Sequence, residues 1–566
     1  MSAQKFFFNG INGSTGEYLL PPLSAEEIAA IAKGETFDSK ELSELKQKKR
    51  QVKGTDADFA PMEGIDPKKL EETGWGVIFS YDVDPAIKAA LQPLLNHRKQ
   101  QATQKHEHYY QEFSGPKGYR PGESKSKFLA RHGVGPGPAD PDKMPYYLLI
   151  VGDPQTIPYR FQYQLDVQYA VGRIHFDTPE EYAQYAQSVV QAETGGVSLP
   201  RTARFFGVRN SDDPSTQQSA KNLVKPLVDW MEQDQNGNHW AVESIIGEGA
   251  TKEKLETLLG GEDTPALLFT ASHGMGFDHG DSRQLSEQGA LICQDWPGPK
   301  EGGGSIPDDY YFSSEDISDD ARLLGLVAFF FACYGAGTPQ FDEFSHKKSN
   351  QRLEIAPYPF VAPLPKRLLS HPKGGALAVV GHVDRAWGQS FQWEFDGRDT
   401  GPQLAVFQST LKRLLEGHTV GSAVEYFNER YAELSSDLSV QLEDAKYGGE
   451  VDANLLSGMW TANNDARGYA IIGDPAVKLP VEGSVVADAS RPILDLSAAV
   501  SPPSAPAPTQ AGGADGAATV VQAKDTLNQA LDTLIGSLNQ DSADQEQLKQ
   551  ALSATAHLLD TLKELL

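Results

Sequence analysis

Cysteine is scarce in this chain. Two residues in 566, Cys293 and Cys333, cannot staple a protein of this length, and disulfide-dependent secreted folds carry many more. Long apolar runs are also missing: no stretch reaches the roughly 18 apolar residues of a membrane span. The start, Met1-Ser2-Ala3-Gln4-Lys5, leads into only three phenylalanines before Asn9-Gly10, short of the apolar length of a secretory leader. These scarcities predict a protein of a reducing, cytoplasmic compartment with no membrane partner. Positive charge is the third shortage. Fifty Lys plus Arg stand against 77 Asp plus Glu, a formal net charge of −27. Such a surface repels phosphate backbones and anionic lipid, which argues against a nucleic-acid partner.

Material for a large core is present. Apolar residues make up 39% of the chain, ordinary for a globular protein, and the length exceeds what one core organises, so several units are expected. Residues 1–73 read as an accessory segment, with turn-rich Asn9-Gly10-Ile11-Asn12-Gly13 followed by a helix from Ser24 to Lys33. Ser24 is its N-cap and Glu27 stands at the capping-box position. From Gly74 the chain changes character. Strands are expected at Trp75–Ser80, Tyr146–Val151, Arg204–Val208, Trp240–Ile246, Ala266–Ala271, Leu324–Ala332 and Ala376–Val380. Helices are expected at Asp84–Gln100, Ser219–Glu232 and Thr251–Leu259. Apolar strands without alternation, separated by helices, predict an α/β fold with a mainly parallel sheet sandwiched by helices.

A further composition shift follows Leu479-Pro480. Residues 483–518, rich in Ala, Pro, Ser and Gly, read as a flexible linker. Residues 519–566 read as a helical hairpin. Leu527, Leu531, Leu534 and Leu538 stripe its first helix, and Leu548, Leu552, Leu559, Leu562 and Leu566 its second. Two such helices bury little surface alone. The stripe is therefore expected to take a regulatory protein, a second copy or the main body.

In parallel sheets, chemistry collects at the carboxyl ends of strands. Leu267 to Ser272 ends in His273-Gly274, and Leu326 to Ala332 ends in Cys333-Tyr334-Gly335. Singly, such a Cys is usually a small buried apolar residue and such a His a loop residue. Together, each closing a buried strand, they form a candidate dyad, since a thiol near an imidazole can be activated as thiolate or by general base. Caspases place His about 50 residues before Cys.

The ordered motifs resemble the gingipain family of cysteine peptidases, in the caspase-like clan. The resemblance runs over about 74–482. It rests on Tyr147 to Asp153 with Ile157-Pro158, Ala170-Val171-Gly172-Arg173-Ile174, Ser272-His273-Gly274, Ala332-Cys333-Tyr334-Gly335, Val383-Asp384-Arg385-Ala386-Trp387 and Ile472-Gly473-Asp474-Pro475. It implies a first caspase-like subdomain over 74–200 and a catalytic one over 201–482. It also implies a protein substrate cut by His273 and Cys333 without a cofactor or metal. Backbone N–H groups of Gly274 and Cys333 would hold the oxyanion, and Trp387 would wall the substrate pocket with Asp384 and Asp213 nearby. Asp212 is the candidate orienting acid. The family's acid for a basic P1 side chain aligns near Ser215 to Gln217, where no acid stands; Asp212 and Asp213 are its neighbours, and cleavage after Arg or Lys is the expectation.

Other signals read as plain structure. His106-Glu107-His108 has i, i+2 spacing, which does not share a helix face. Gly133 to Gly137 lacks the Lys-Ser/Thr of a phosphate loop. Both Gly-Asp-Pro motifs look like turns, and Cys293 has no partner at metal spacing. The stretch Asp281 to Asp320, with Gly302-Gly303-Gly304, reads as an exposed insertion that gates the cleft. The alternative to a peptidase is an idle caspase-fold scaffold recruiting partners through 519–566.

Overall fold

The structure is a computed structural model. It describes residues 5–34, 42–43, 45–46, 65–135, 137–233, 240–342, 353–391, 394–395, 398–399, 403–481 and 491–496. The chain divides into two units, 1–500 and 501–566, and the description concerns the first. The linker expected over 483–518, apart from 491–496, and the leucine-striped hairpin over 519–566 lie outside the described residues.

Ten strands form one sheet: β1 (Trp75–Phe79), β2 (Tyr110–Phe113), β3 (Tyr147–Val151), β4 (Ala170–Ile174), β5 (Thr202–Gly207), β6 (Ala241–Ile246), β7 (Leu267–Ala271), β8 (Val327–Phe331), β9 (Ala378–His382) and β10 (Tyr469–Gly473). Their spatial order is β2-β1-β3-β4-β10-β9-β8-β7-β5-β6. Every neighbouring pair is parallel except β9 with β10. Two parallel blocks therefore run in opposite directions and meet at β9–β10. The carboxyl ends of β5, β7, β8 and β9 open on one side.

The sequence explains this arrangement. β1, β3, β4, β7, β8, β9 and β10 are buried along their whole length, as non-alternating apolar runs require when helices cover both faces. The polar strands β2 and β6 lie at the two edges, where charged side chains discourage pairing with a further chain. Phe205, Phe269 and Phe329 sit in register on β5, β7 and β8. Their rings stack at centroid distances of 5.5 and 5.0 Å.

The capping box at Ser24 and Glu27 starts the helix Ala25–Ala32, as the sequence predicts. The helix expected over Asp84–Gln100 is broken at Leu91 into Pro85–Ala90 and Gln92–Ala102. Pro93 is the cause, because its ring crowds the carbonyl four residues back and it has no N–H to donate. The helix expected over Ser219–Glu232 starts earlier, at Pro214, and contains a π-helical turn at Ala220–Val224. The longer helices that went unread in the sequence include Pro179–Thr194, Ala405–Leu415, Val420–Lys446 and Ala453–Gly468.

The insertion at Asp281 to Asp320 is not the exposed loop its glycines suggested. Leu291–Ile292 pairs with Tyr311–Phe312, and Ile292, Trp296, Ile306 and Tyr311 bury themselves with Met275, Phe277 and Ile11. Enough apolar side chains are scattered through the stretch to form a small core of their own, although no periodicity announces it.

The second Gly-Asp-Pro is also more than a turn. Asp474 is fully buried and accepts from Trp75 Nε1 (3.0 Å), Arg98 Nε (2.6 Å) and its own Ala476 N (3.0 Å). Arg98 in turn makes a two-pronged pair with Glu193 at 2.7 Å on each arm. Removing one partner of such a network strands a buried charge. Asp474→Ala should cost about 3–5 kcal/mol of stability in urea unfolding. A loss well under about 1 kcal/mol would show that Arg98 is satisfied by Glu193 alone.

Candidate active site

Register sets the first element of the site. Ala271 on β7 lies opposite Phe331 on β8, so His273 and Cys333 each come two residues after a matched pair. They emerge level with one another on the same side of the sheet. Gly274 permits the close fit: a Cβ there would lie 1.8 Å from the Cys333 carbonyl oxygen. The glycine after the histidine thus serves the approach of the Cys333 backbone itself. Behind the thiol the backbone is strained. Tyr334 (φ 58°) and Asp384 (φ 75°) are the non-glycine residues with positive φ among the described residues. They are joined by a 2.7 Å bond from Tyr334 N to Asp384 O. Left-handed backbone at non-glycine residues costs energy and clusters at functional sites.

The loop after β5 supplies a buried carboxylate. Asp213 caps the helix Pro214–Ser219, its Oδ1 accepting from Ser215 N at 3.1 Å. Its Oδ2 accepts from His273 Nε2 and from Thr216 Oγ1, both at 2.7 Å, and the Tyr18 hydroxyl donates to Oδ1. Burial alone would raise this carboxyl. The charge that His273 carries when protonated, and the hydrogen bonds from His273, Tyr18 and Thr216, outweigh it and hold the group at about 2.

Asp212, the expected orienting acid, points elsewhere: its Oδ2 accepts from Lys300 N at 2.9 Å. Adjacent residues around a helix cap face different directions, and only Asp213 occupies the capping position. Asp213 is therefore not a free pocket acid, since its oxygens are taken up at His273 and the cap. Asp384 is a buried turn residue after β9, with its carboxylate 3.5 Å from Arg385. Trp387 is covered rather than open. Its backbone N–H donates to Asp465 Oδ1 at 2.9 Å, and its ring packs edge-on against Phe8 (4.8 Å) and Trp460 (5.6 Å).

Cys333 is fully buried and His273 is 1% exposed. Burial pushes the Cys333 thiol up to about 12, against the opposing effect of the Ala386 N–H, which donates to its sulfur at 3.2 Å. Cys293 lies on the inserted hairpin, where its Sγ meets Leu291 O at 3.5 Å and burial raises it as well. Among the described residues no group of three or more His, Cys, Asp or Glu side chains converges as metal ligands would. No helix there is long and apolar enough to cross a membrane.

The covering material is the amino-terminal segment, which the sequence reading set apart as accessory. Gly10 N donates to His273 Nδ1 at 2.9 Å. Nδ1 is thereby an acceptor, and the imidazole proton is assigned to Nε2, facing Asp213. Ile11–Asn12 pairs in parallel with Met275–Gly276, just beyond His273-Gly274. Phe8 lies on Trp387 and Tyr18 on the His273 ring at 5.8 Å. The one signal in the sequence was the extended Phe6-Phe7-Phe8 leading into Asn9-Gly10, apolar residues with no helical spacing of their own.

No protein-family profile and no curated protein matches this chain. Among solved structures, one described as "Structure of Protease" is similar at 12% identity and a TM-score of 0.42, covering 72% of this chain and 78% of the other. A second, "Complex of Porphyromonas gingivalis RgpB pro- and mature domains", is similar at 11% identity and a TM-score of 0.40, covering 72% and 80%. At these values neither neighbour carries an inference about this chain, and the reading below rests on the site's own geometry.

A stability test isolates the Asp213 pair. A carboxyl held below its ordinary 3.8 stabilises the fold above the unfolded value and loses that contribution as pH falls through the folded one. Between about pH 4 and pH 2 the native chain should lose about 2 kcal/mol more than Asp213→Asn does. Urea unfolding across that range checks it; parallel pH profiles for the two chains would remove the His273–Asp213 pair as an ion pair.

Proposed function

We propose that this chain is a cysteine endopeptidase in which Cys333 is the nucleophile, His273 the acid and base, and Asp213 the residue that orients His273. The observation that carries this reading is the contact at Nδ1. An imidazole held from behind by a buried carboxylate presents its other nitrogen to a backbone amide nitrogen beside the thiol. Peptide hydrolysis needs a proton carried between those two places.

The steps follow from the groups present. His273 Nδ1 takes the proton of Cys333 as Sγ bonds to the carbonyl carbon of a bound peptide. Asp213 stabilises the imidazolium that forms and fixes its tautomer. The N–H groups of Gly274 and Cys333 make no hydrogen bond among the described residues and are the donors proposed for the oxyanion. The carbon–nitrogen bond then breaks, and Nδ1–H gives its proton to the departing amine. Water, deprotonated by the same nitrogen, releases the acyl group from sulfur. A thiol raised by burial is a weak nucleophile until its proton has somewhere to go, so His273 must act in the same step.

Substrates are proteins or peptides that lie extended between the His273 and Cys333 loops. The expected preference for Arg or Lys at P1 gains no support from Asp213, whose carboxylate faces His273. The part assigned to 519–566, recruitment of a regulator, a substrate or a second copy, remains a separate proposal. Deleting those residues should leave small-peptide cleavage unchanged and lower cleavage of the protein substrate.

Cys333→Ala and His273→Ala should each abolish cleavage of a mixed peptide library. Asp213→Asn should lower kcat by roughly 10²–10⁴-fold, the range for a lost acid–base function or a wrong tautomer. Cys293→Ala should retain activity. Near-native turnover by folded Cys333→Ala would sink the mechanism, and no cleavage of any peptide by the folded native chain would leave the idle scaffold as the reading.

A further inference from the structure

The amino-terminal segment does more than cover the site. In hydrolysis of a peptide, the nitrogen that meets the acid belongs to the residue just after the broken bond. Here that nitrogen is Gly10 N, 2.9 Å from His273 Nδ1, which singles out Asn9–Gly10 as the bond to examine. The thiol agrees. A Cβ on Gly10 would come within 3.0 Å of Cys333 Sγ, and Gly10 itself has φ +105°, a conformation that glycine adopts without strain.

The residues on either side run as a substrate would. After the bond, Ile11 N donates to Gly274 O (3.4 Å), and Gly13 N to Gly276 O (2.8 Å), extending the His273 loop by a strand. Before it, Phe8 fills the space against Trp387. Asn9 is 2% exposed. The Asn9 amide oxygen and the Gln218 amide oxygen both come near Gly388, each 3.8 Å from where a Cβ would stand there. The buried Asn9 side chain thus stands near a second amide. Anchors further along hold the segment in place: Leu19 N donates to Gly10 O (3.1 Å), Ile306 N to Gly13 O (2.8 Å), and Arg283 Nη2 to Gly13 O (3.1 Å).

We propose that residues 6–13 are a substrate seated in the chain's own cleft, that Cys333 cuts the Asn9–Gly10 bond in cis, and that the enzyme accordingly prefers a small amide side chain before the cut and glycine after it. The proposal rests on the peptidase reading above. Sγ bonds to the Asn9 carbonyl carbon while Nδ1 takes the thiol proton. The Asn9–Gly10 bond breaks, and the proton goes to the Gly10 nitrogen, which leaves as a new amino terminus. Water then hydrolyses the Asn9 thioester to a carboxylic acid and returns the thiol. Until that cut the cleft is closed, which accounts for a buried nucleophile in a chain meant to act on other proteins.

Intact mass and amino-terminal sequencing of the purified full chain test the proposal. The native chain should lose everything up to Asn9 and begin at Gly10, while Cys333→Ala stays whole. Gly10→Val, whose methyl groups collide with Sγ, should expel the segment and raise iodoacetamide labelling of Cys333 roughly tenfold or more. Phe8→Ala, which loosens the segment at Trp387, serves as the independent second variant. An added peptide carrying the sequence of residues 6–13 should be cut after Asn, and its Asn→Arg version roughly 10-fold or more slowly. A chain that cleaves library peptides yet keeps residues up to Asn9, or is cut at another bond, overturns this inference and leaves the peptidase reading standing. Failure of the native chain, Gly10→Val and Phe8→Ala to cleave any peptide overturns both.

Discussion

The site depends on strand register. The stack of Phe205, Phe269 and Phe329 fixes β5, β7 and β8 against one another. A slip of one residue would turn each of these rings to the opposite face of the sheet, out of its stack. His273 and Cys333 sit two residues beyond a matched pair, so the same slip would also separate them by about one residue's rise, roughly 3.3 Å. A hydrogen-bonded contact between groups on the two loops does not survive that displacement. The ladder of aromatic rings deep in the core is therefore what sets the distance between thiol and imidazole at the edge.

Burial then works on each group in the site, with different outcomes. For Asp213 it is overcome, because four groups, His273, Tyr18, Thr216 and Ser215 N, converge on two oxygens. For Cys333 it prevails, because a single backbone N–H at 3.2 Å cannot offset the loss of water around a thiolate. The result is an ionised carboxylate and a protonated thiol in the same closed site. The material that closes it is peptide, and it contributes Tyr18 to the acid's partners and Ile11 to the small core of the insertion. The amino-terminal segment is thus part of the folded structure as well as an occupant of the cleft.

The departures from the sequence reading have a common physical origin. Asp212 and Asp213 are chemically identical and adjacent. Which of them meets His273 was decided by the helix that begins at Pro214, since the capping residue turns its side chain toward the helix's first N–H groups. The insertion was misjudged because its apolar residues meet one another, and Ile11, Met275 and Phe277, across the folded hairpin rather than at a regular spacing along the chain. Asp474 hid in a motif that also serves as a turn, and only the convergence of Trp75 and Arg98 from far up the chain reveals the network.

The sequence by itself determined most of the sheet's buried strands, the strand-end positions of His273 and Cys333, and the capping box at Ser24. Each of these is a local pattern: an apolar run without alternation, a reactive residue at its end, a spacing of three between cap and acid. Tertiary structure alone decided the acid behind the imidazole, the strained turn at Tyr334 and Asp384, and the path of Phe8 to Gly13 through the cleft. Those features join residues separated by tens to hundreds of positions. Their partners are chosen by where the strands end and which surfaces remain to be buried, and no local spacing encodes that choice.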